Sequence, residues 1–532
     1  MNKIYITTPI YYVNAEPHLG HTYTTVVADT LKRYYRANGY DAFLLTGTDE
    51  HGDKIAQAAA ANGTSPKEYA DRISGLFRST WDTCGIAYDH FIRTTDSYHK
   101  EYVQSVLQKI YDAGDIYFGE YGGFYCYGCE RFYTEKELVD GKCPDHQTVP
   151  DYISEKNYFF RMSKYQQQLI DAIQSKPDLI RPERYRTEVL AFLREPLEDL
   201  CISRPTSRLQ WGIPMPFDDN YVTYVWFDAL LNYVSALQHR GGDSLPSFWP
   251  KAQHLIAKDI LKPHAIYWPT MLMAAGLPLY DHLNVHGYWV MDSGKMSKSL
   301  GNVIRPLEMK ARFGMDAFRY FLLREMAFGQ DAKFSEEALI TRINADLANN
   351  LGNLVSRVLA MQQKYFAGVV QPLRSEWAGE DVELRNKFIQ AENDLNSYVA
   401  ELQFHRALES VWSALDHANR YIVQTAPFTM IKDPEKQARV GEVLHHLLEV
   451  VRTLSRLLAP FMPDTAAELR ALLALPETGA VLNAAWGQAF QPGHKVNGPK
   501  VLFPRIETHD SIRTKDTATV VLSQPIETDV KK

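Results

Sequence analysis

The sequence predicts an α/β fold, in which a parallel sheet flanked by helices is followed by a helical bundle. First, apolar strand-like runs alternate with periodic helix-like runs over residues 3–62, as in chains that build parallel sheets. Second, this pattern breaks near Tyr117, where glycine, tyrosine and cysteine become frequent. Third, apolar residues recur at helical spacing after about Ala338. We therefore expect an insertion within the α/β region and an all-α region after it.

The elements of the α/β region are predicted from apolar periodicity and from turn residues such as Gly39. They are a strand at Lys3–Thr8, a helix over residues 18–37, a strand at Ala42–Thr46, a turn at Gly47–Gly52, a helix over residues 54–62, and strands at Tyr221–Phe227 and His254–Ala257.

Helices are predicted for the C-terminal region because apolar residues recur every three or four positions, as on one face of a packed helix. This spacing holds over Leu347–Met361, Phe404–Ile422 and Val443–Leu458. Thr508–Lys532 is polar and aperiodic, which favours a disordered tail. The predicted domain boundaries are 1–116, 117–220, 221–290, 291–345, 346–507 and 508–532.

Composition gives no sign of a membrane-spanning segment and favours a cytosolic protein. No apolar run approaches the ~20 residues that span a bilayer, and the N-terminal residues lack the apolar core of a signal peptide. The net charge of −7 does not indicate a nucleic-acid partner, although a local basic face would suffice for one.

Two motifs far apart in the chain together predict a nucleotide site. Pro17-His18-Leu19-Gly20-His21 lies where a strand leads into a helix, whose N-terminus offers N–H groups and a positive dipole end to phosphate. Gly20 lets a nucleotide approach the backbone, and His18 and His21 can donate hydrogen bonds to phosphate oxygens. In Lys295-Met296-Ser297-Lys298-Ser299, the two lysines can neutralise a departing pyrophosphate. Singly, the motifs also fit surface histidines and a solvated basic turn, but together they favour cleavage of ATP between its α and β phosphates.

A cluster of cysteines predicts a zinc site in the insertion. Cys126-x2-Cys129 is followed by Cys143-x2-His146, which makes two chelating pairs suited to tetrahedral zinc. Four protein ligands favour a closed, structural site. Reduced thiols without metal and a zinc-ribbon DNA-binding module are alternatives, and the position inside an α/β region disfavours the second.

The two motifs and the parallel sheet resemble the class I aminoacyl-tRNA synthetases over about residues 1–345. Within that class the chain resembles the methionyl-tRNA synthetase family, on Thr8–Asn14, Gly47–Gly52, Tyr224–Ala229 and Lys258–Ile260. The helical region extends the resemblance to about residue 505. It implies a Rossmann-like catalytic domain with a zinc-binding insertion, a stem-contact region over residues 291–345 and an anticodon-binding α-helical domain.

The resemblance also implies roles for individual residues. ATP would be bound by His18, Gly20, His21, Asp259, Lys295, Ser297 and Lys298, with Asp259 at the ribose. Asp49 would pair with the ammonium group of methionine, and aromatic side chains would enclose the thioether. By itself, a tryptophan such as Trp226 or Trp268 would be taken for a core residue. The implied pocket consists of Ile10, Tyr12, Asp49, Trp226, Ala229, Leu230, Tyr233, Ile260, His264 and Trp268.

For the anticodon, the resemblance points to Asn353, Arg357, Pro427 and Phe428. Asn353 and Arg357 lie one helical turn apart and can hydrogen-bond to splayed-out bases, although their spacing alone favours a plain polar helix face. The family usually carries tryptophan after the proline. Phe428 can still stack on a base, but with less area and no indole N–H, which puts the strictness of anticodon reading in question.

The expected function is activation of L-methionine with Mg-ATP to methionyl-adenylate, followed by transfer to the 3′ end of methionine tRNAs, both initiator and elongator. One structural zinc ion, the magnesium that accompanies ATP, no membrane partner and a monomeric state are also expected. Alternatives are a class I synthetase for valine, leucine, isoleucine or cysteine, a pantetheine-type nucleotidyltransferase, and a zinc-dependent RNA-binding protein without catalysis. The insertion is too short for the editing domain of the first three synthetases, the cysteine enzyme places its zinc at the substrate, and such nucleotidyltransferases are far shorter.

Overall fold

The computed structural model describes residues 2–128, 131–133, 135–144, 147–291, 294–295, 303–477 and 479–507. The chain forms two compact units. The first contains the residues up to Met315 together with Met326–Lys333, and the second contains Asp316–Glu325 together with the residues from Phe334 onward. Cys129, His146, Ser297, Lys298 and the predicted tail lie outside the described residues.

The first unit contains all the strands found in the described part of the chain. They are β1 (Lys3–Tyr12), β2 (Asp41–Asp49), β3 (His90–Arg93), β4 (Ile116–Cys126), β5 (Arg131–Tyr133), β6 (Asp151–Phe160), β7 (Ile180–Arg181), β8 (Leu200–Cys201), β9 (Ser203–Pro205), β10 (Pro214–Met215), β11 (Asp218–Thr223), β12 (Ala252–Ala257), β13 (His282–His286), β14 (Trp289–Met291), β15 (Gly294–Lys295) and β16 (Ala332–Lys333).

Six of these strands form the main sheet, in the order β3-β2-β1-β12-β13-β7. Every neighbouring pair in it is parallel, which confirms the predicted fold class. The strand order reverses between β1 and β12, because β2 and β3 extend the sheet on one side of β1, whereas β12, β13 and β7 lie on its other side. In such sheets ligands bind beside the carboxyl ends of the strands at the reversal point.

The insertion is built on a different plan. A four-stranded antiparallel sheet has the order β5-β4-β6-β8, and its longest pairing runs from Ile116 opposite Phe160 to Tyr125 opposite Asp151. A second small sheet joins β10, β11 and β9. A third small sheet lies outside the insertion. It joins β15, β14 and β16 and contains Lys295, the first residue of the lysine motif.

Helices pack around these sheets. In the first unit they are α1 (Leu19–Ala37), α2 (Asp53–Ala61), α3 (Pro66–Thr83), α4 (Ser97–Asp112), α5 (Gln166–Ser175), α6 (Glu183–Phe192), α7 (Val225–Leu230), α8 (Asn232–Arg240), α9 (Ser244–Phe248), α10 (Trp268–Ala274) and α11 (Pro306–Phe313).

The strand predicted at Tyr221–Phe227 is wrong in its second half. β11 ends at Thr223, and the helix α7 begins at Val225. A short apolar run is ambiguous from periodicity alone, because a buried strand and a buried helix both hide every side chain. The second strand also runs further than predicted, so that Asp49 is its last residue and does not lie in the turn that follows.

The second unit is helical in its described residues, as the sequence predicted. Its helices are α12 (Met315–Glu325), α13 (Glu336–Arg342), α14 (Asn353–Phe366), α15 (Gly379–Ala400), α16 (Phe404–Thr425), α17 (Pro427–Met430), α18 (Gln437–Leu457) and α19 (Pro463–Leu472). A π-helical segment, Ile343–Gly352, joins α13 to α14. The periodic leucines and valines form the core, with Leu354, Leu408 and Leu447 fully buried.

No helix in the described residues is long and apolar enough to cross a membrane.

Candidate active site

The candidate site lies at the carboxyl ends of β1, β2 and β12, where the order of the main sheet reverses. Tyr12 ends β1 and pairs in register with Asp49, which ends β2, and the Val13 amide donates to the Asp49 carbonyl at 3.1 Å. Asp259 lies two residues after the end of β12 and is exposed. The parallel strands therefore bring together residues that are more than two hundred positions apart in the chain.

The turn after Asp49 is held firmly by its neighbours. The Glu50 carboxylate is fully buried and accepts two hydrogen bonds from Arg93, at 2.7 and 2.8 Å. The indole N–H of Trp211 donates to the Glu50 carbonyl at 2.5 Å. Gly52 has a φ of 109°, a left-handed conformation that glycine adopts without strain. Asp49 thus ends β2 directly before a turn that Arg93 and Trp211 hold by hydrogen bonds.

The histidine motif caps helix α1. The Gly20 amide donates to Nδ1 of His18 at 3.1 Å, and the His18 amide points to Nδ1 of His21 at 3.4 Å. The two rings stack with centroids 3.7 Å apart. A Cβ on Gly20 would lie 3.1 Å from the His18 ring, so the glycine also makes room for this capping arrangement.

This capping determines which nitrogen of each histidine can donate. Because Nδ1 of both rings accepts a backbone N–H, the proton of each neutral ring is on Nε2. Burial, and then the charge of His18, lower the pKa of His21 well below its ordinary value. The motif therefore presents two imidazole N–H donors, that of His21 on a neutral ring, at the N-terminus of a helix, a position that favours anions.

The residues that flank the lysine motif on either side make backbone contacts with neighbouring elements. At one end, Lys295 pairs with Val290 in the hairpin of β14 and β15. At the other, the Leu19 amide at the start of α1 donates to the Ile304 carbonyl at 2.9 Å, and Arg305 pairs with Glu16 at 3.3 Å. The segment that follows the loop is therefore docked on the histidine motif. Ser297 and Lys298 lie outside the described residues.

Two of the predicted pocket aromatics, Tyr233 and Trp226, contact His264, and Trp268 contacts Tyr233. The Ile260 carbonyl accepts from Nδ1 of His264 at 2.9 Å, so Nε2 carries no proton in the neutral ring and accepts from the Tyr233 hydroxyl at 2.8 Å. Trp226 contacts the His264 ring edge-on, with centroids 6.3 Å apart. Burial lowers the pKa of His264 to about 4, so the ring is uncharged at neutral pH.

His254 supports this cluster, although the sequence analysis missed it. The Trp268 indole N–H donates to its Nε2 at 3.2 Å, and its Nδ1 lies 2.7 Å from the Thr7 hydroxyl. Its ring lies 4.2 Å from that of Tyr233, and burial lowers its pKa well below the ordinary value. A histidine in a strand reads as an ordinary core residue, so no local signal singles it out.

The remaining pocket residues border the same core. Leu230, Tyr233 and Trp268 are buried in it, and Ile10, Trp226 and Ile260 pack against it while partly exposed. Ala229 is buried in α7. The predicted residues are therefore contributed by the ends of β1 and β2, by α7 and α8, and by the turns before α10.

Two of the four predicted zinc ligands are described. Cys126 and Cys143 are both buried in one small cluster with Tyr133, whose hydroxyl lies 3.3 Å from the Cys143 sulfur. Within the residues that the structure describes, no group of three or more histidines, cysteines or carboxylates could hold a metal ion. Cys129 and His146, the other half of the predicted ligand set, lie outside the described residues.

The predicted anticodon residues lie on the surface of the second unit. Asn353 is exposed and Arg357 partly exposed, one turn apart on α14. Phe428 is 46% exposed on α17, after a buried Pro427. Helices α14 and α17 both pack against α18. An aromatic ring left this open to water is available for stacking.

Comparison with known proteins decides between the class I alternatives. Residues 4–150 and 145–359 match the family model for class I tRNA synthetases of the methionine type, "tRNA synthetases class I (M)", and residues 371–517 match the model for the anticodon-binding domain of methionyl tRNA ligase. The chain belongs to the methionyl-tRNA synthetase family. The resemblance drawn from the two motifs and the pocket segments is confirmed, and with it the activity of a methionine–tRNA ligase.

Curated methionyl-tRNA synthetases match along nearly the whole chain. The methionine–tRNA ligase of Caldanaerobacter subterraneus is 46% identical over 517 residues, which are 97% of this chain and 81% of that protein. The ligase of Deinococcus radiodurans is 47% identical over 512 residues, 95% of this chain and 75% of that protein.

Solved methionyl-tRNA synthetases share the fold. The Mycobacterium tuberculosis enzyme in complex with methionyl-adenylate has a TM-score of 0.90 and 39% identity, over 95% of this chain and 100% of that one. The apo form of the same enzyme has a TM-score of 0.84 and 35% identity, over 95% and 99% of the two chains.

Proposed function

We propose that the chain activates L-methionine with Mg-ATP at the carboxyl edge of its main sheet and transfers the methionyl group to the 3′ end of methionine tRNAs. Residues 1–345 would carry out activation and transfer, and residues 346–507 would read the anticodon. The observation that carries the proposal is the register of Tyr12 with Asp49 at the reversal point of the sheet, in a unit that also holds the aromatic cluster around His264. A monomeric state and a cytosolic location stay predictions.

On the methionine side, Asp49 would accept a charge-assisted hydrogen bond from the substrate ammonium group. The hydrogen-bonded turn after it supports this role, because a carboxylate fixed before binding loses little freedom on binding. Trp226, Tyr233, His264 and Trp268 would enclose the thioether. The His264 ring, held neutral by burial, suits an uncharged sulfur, and sulfur packs well against aromatic edges.

On the phosphate side, the methionine carboxylate would attack the α-phosphorus and release pyrophosphate, so no side chain needs to act as a covalent nucleophile. The Nε2–H groups of His18 and His21 would donate to phosphate oxygens, and Lys295 and Lys298 would stabilise the leaving pyrophosphate. Gly20 and Ser297 would contact ATP, and Asp259 would contact its ribose. The hydrogen bond from Leu19 to Ile304 supports this assignment, because Ile304 lies five residues after Ser299 and contacts the start of α1, where the histidine motif lies.

We propose a structural zinc ion held by Cys126, Cys129, Cys143 and His146. The two described thiols are buried in one cluster, which fits a closed site, and zinc there would link the two ends of the knuckle. Metal analysis should find about one zinc per chain, and Cys143→Ser should lower both the zinc content and the Tm. Cys84→Ser is the matched control, because Cys84 is buried outside the insertion. A Cys143→Ser protein with undiminished zinc would contradict the proposal.

For the tRNA, Asn353 and Arg357 would hydrogen-bond to anticodon bases, and Phe428 would stack on one of them beside Pro427. The exposure of these side chains supports the proposal, since base edges and faces are read by side chains open to the surface.

Asp49→Asn tests the proposed methionine site in the ATP–pyrophosphate exchange assay. Loss of a hydrogen bond to a charged group costs about 1.5–3 kcal/mol, so the KM for methionine should rise roughly 10- to 100-fold. Asp115→Asn is the matched control. Asp115 is also a buried carboxylate of the first unit, but its partners, Lys164 and Tyr165, do not belong to the proposed site. An unchanged methionine KM in Asp49→Asn would exclude Asp49 as the ammonium partner.

A further inference from the structure

Next to the proposed methionine site lies a buried carboxylate, that of Asp228, to which the proposed function gives no role. Asp228 is 1% exposed and occupies α7, between Trp226 and Ala229. One of its oxygens lies 2.5 Å from Nδ1 of His51, and the other lies 2.8 Å from Nε2 of His99. Both histidines are themselves buried.

The hydrogen-bond directions in this group follow from the carboxylate. An ionised carboxylate only accepts, so His51 donates from Nδ1 and His99 donates from Nε2. Burial by itself would raise the pKa of Asp228, but the charge of His51 and the hydrogen bonds from His51 and His99 outweigh it and hold the pKa below the ordinary value. Asp228 is thus a buried anion with a donor on each oxygen.

One arm of this group reaches the turn that directly follows Asp49. His51 is two residues after Asp49, and its ring packs beside Trp211, with centroids 5.4 Å apart. Trp211 in turn holds both sides of the same turn, because its indole N–H donates to the Glu50 carbonyl and its own carbonyl accepts from Gly52 at 3.2 Å. A change in the position of His51 would therefore move the turn after Asp49 and, with it, the Asp49 side chain.

The other arm reaches the helices that carry the aromatic side chains. Nδ1 of His99 lies 2.7 Å from the Ser235 hydroxyl on α8, the helix that also carries Tyr233. At the start of α8, the side-chain Nδ2 of Asn232 donates to the Ala229 carbonyl in α7 at 2.7 Å. Asp228 thus joins the Asp49 turn, α4, α7 and α8 through one pair of carboxylate oxygens.

We propose that Asp228 is a positioning residue for methionine binding: through His51 and His99 it holds the Asp49 carboxylate at a set distance from Trp226 and Tyr233. The inference rests on the proposed methionine site and adds a residue that does not touch the substrate. A carboxylate suits this role because it accepts from two directions at once, and its removal would leave two buried donors without a partner.

Asp228→Asn keeps the shape of the side chain and tests the inference. The new amide group sets an N–H against one of the two imidazole N–H groups, so one arm must rearrange. Because a misplacement of about 1 Å at a binding group costs up to about 100-fold, the KM for methionine should rise 10- to 100-fold while the KM for ATP stays within twofold of the wild-type value. A residue that only supports the fold would lower the Tm without separating the two substrates.

Two controls make the outcome decisive. Asp115→Asn should lower the Tm and leave both KM values unchanged. His99→Gln removes one arm while Asp228 is retained, and it should show the same separation of the two KM values even if Asp228→Asn does not fold. A methionine KM within twofold of wild type in His99→Gln and in folded Asp228→Asn, or an equal rise of both KM values, would overturn the inference. Asp49→Asn, measured in parallel, tests the proposed methionine site separately. An unchanged methionine KM in Asp49→Asn would reject that site, whereas an unchanged KM in the Asp228 and His99 variants alone would reject only the positioning role of Asp228.

Discussion

The proposed methionine site in the first unit buries its polar groups, whereas the proposed anticodon face in the second unit exposes them. Tyr233 and His264 are hydrogen-bonded to each other inside the core, and His264 is neutral. Arg357 and Phe428 are open to water to different degrees. This contrast indicates that a small substrate with an apolar side chain is selected by groups fixed before binding, while nucleotide bases are read by side chains that can adjust. Changes in the first unit should therefore alter binding and stability together, and changes on the exposed face should alter binding alone.

The largest expected effect separates the two regions completely. Lys298→Ala removes a cation that we propose stabilises the departing pyrophosphate, so exchange activity should fall by about 10²- to 10³-fold. Binding of methionine tRNA, measured by filter retention or anisotropy, should be unchanged because the anticodon face is intact. Normal activation by Lys298→Ala would favour a tRNA-binding protein whose lysine loop has no catalytic role.

Tyr233→Phe should disturb binding and stability together. It removes the donor to Nε2 of His264 and leaves a buried acceptor unsatisfied, which costs about 1–3 kcal/mol. Both a lower Tm and a weaker methionine affinity by calorimetric titration are expected. Tyr98→Phe is a suitable comparison, because the Tyr98 hydroxyl binds His90 away from the pocket. Weaker methionine binding by Tyr233→Phe with no change in Tm would contradict the expectation that changes in the buried site alter binding and stability together.

Phe428 should show the opposite behaviour. Stacking on one base is worth about 1–3 kcal/mol, so Phe428→Ala should lower kcat/KM for methionine tRNA by about 5- to 100-fold while leaving Tm and pyrophosphate exchange unchanged. Phe428→Trp should raise kcat/KM, because the indole adds area and an N–H. Val423→Ala is a control at another exposed apolar position of the second unit. Loss of exchange activity in Phe428→Ala would mean that this face is not separate from activation.

The smallest expected effect concerns pH. With a pKa of about 4, only about 1% of His264 is protonated at pH 6, so the methionine KM should change less than twofold between pH 6.0 and 7.5. The KM should rise only as the pH falls toward 4. The folded protein should also lose stability over the interval from about pH 6.5 to 4, because the unfolded chain binds protons there that the folded chain does not. A tenfold change of KM above pH 6 would show that His264 titrates in the physiological range.

Local signals in the sequence predicted much of this architecture. The helical spacing of Phe404–Ile422 corresponds to α16, and the helix predicted over residues 18–37 corresponds to α1, with His18 as its cap. Motif segments predicted the family. The contacts of Asp228 with His51 and His99 were not predictable, because they join residues on three different elements and no spacing rule connects them. The same is true of His254, whose partners Thr7 and Trp268 become neighbours only when the parallel sheet forms.

Pyrophosphate exchange with a panel of amino acids tests most directly the claim that the buried aromatic side chains around the neutral His264 ring select methionine. The assay needs no tRNA, so the anticodon face cannot contribute. An apolar pocket separates side chains that differ by one methylene group by about 1–3 kcal/mol each. We predict that kcat/KM for methionine exceeds that for valine, leucine, isoleucine and cysteine by at least about 100-fold. Exchange with valine or any other member of the panel that equals or exceeds exchange with methionine would contradict the account.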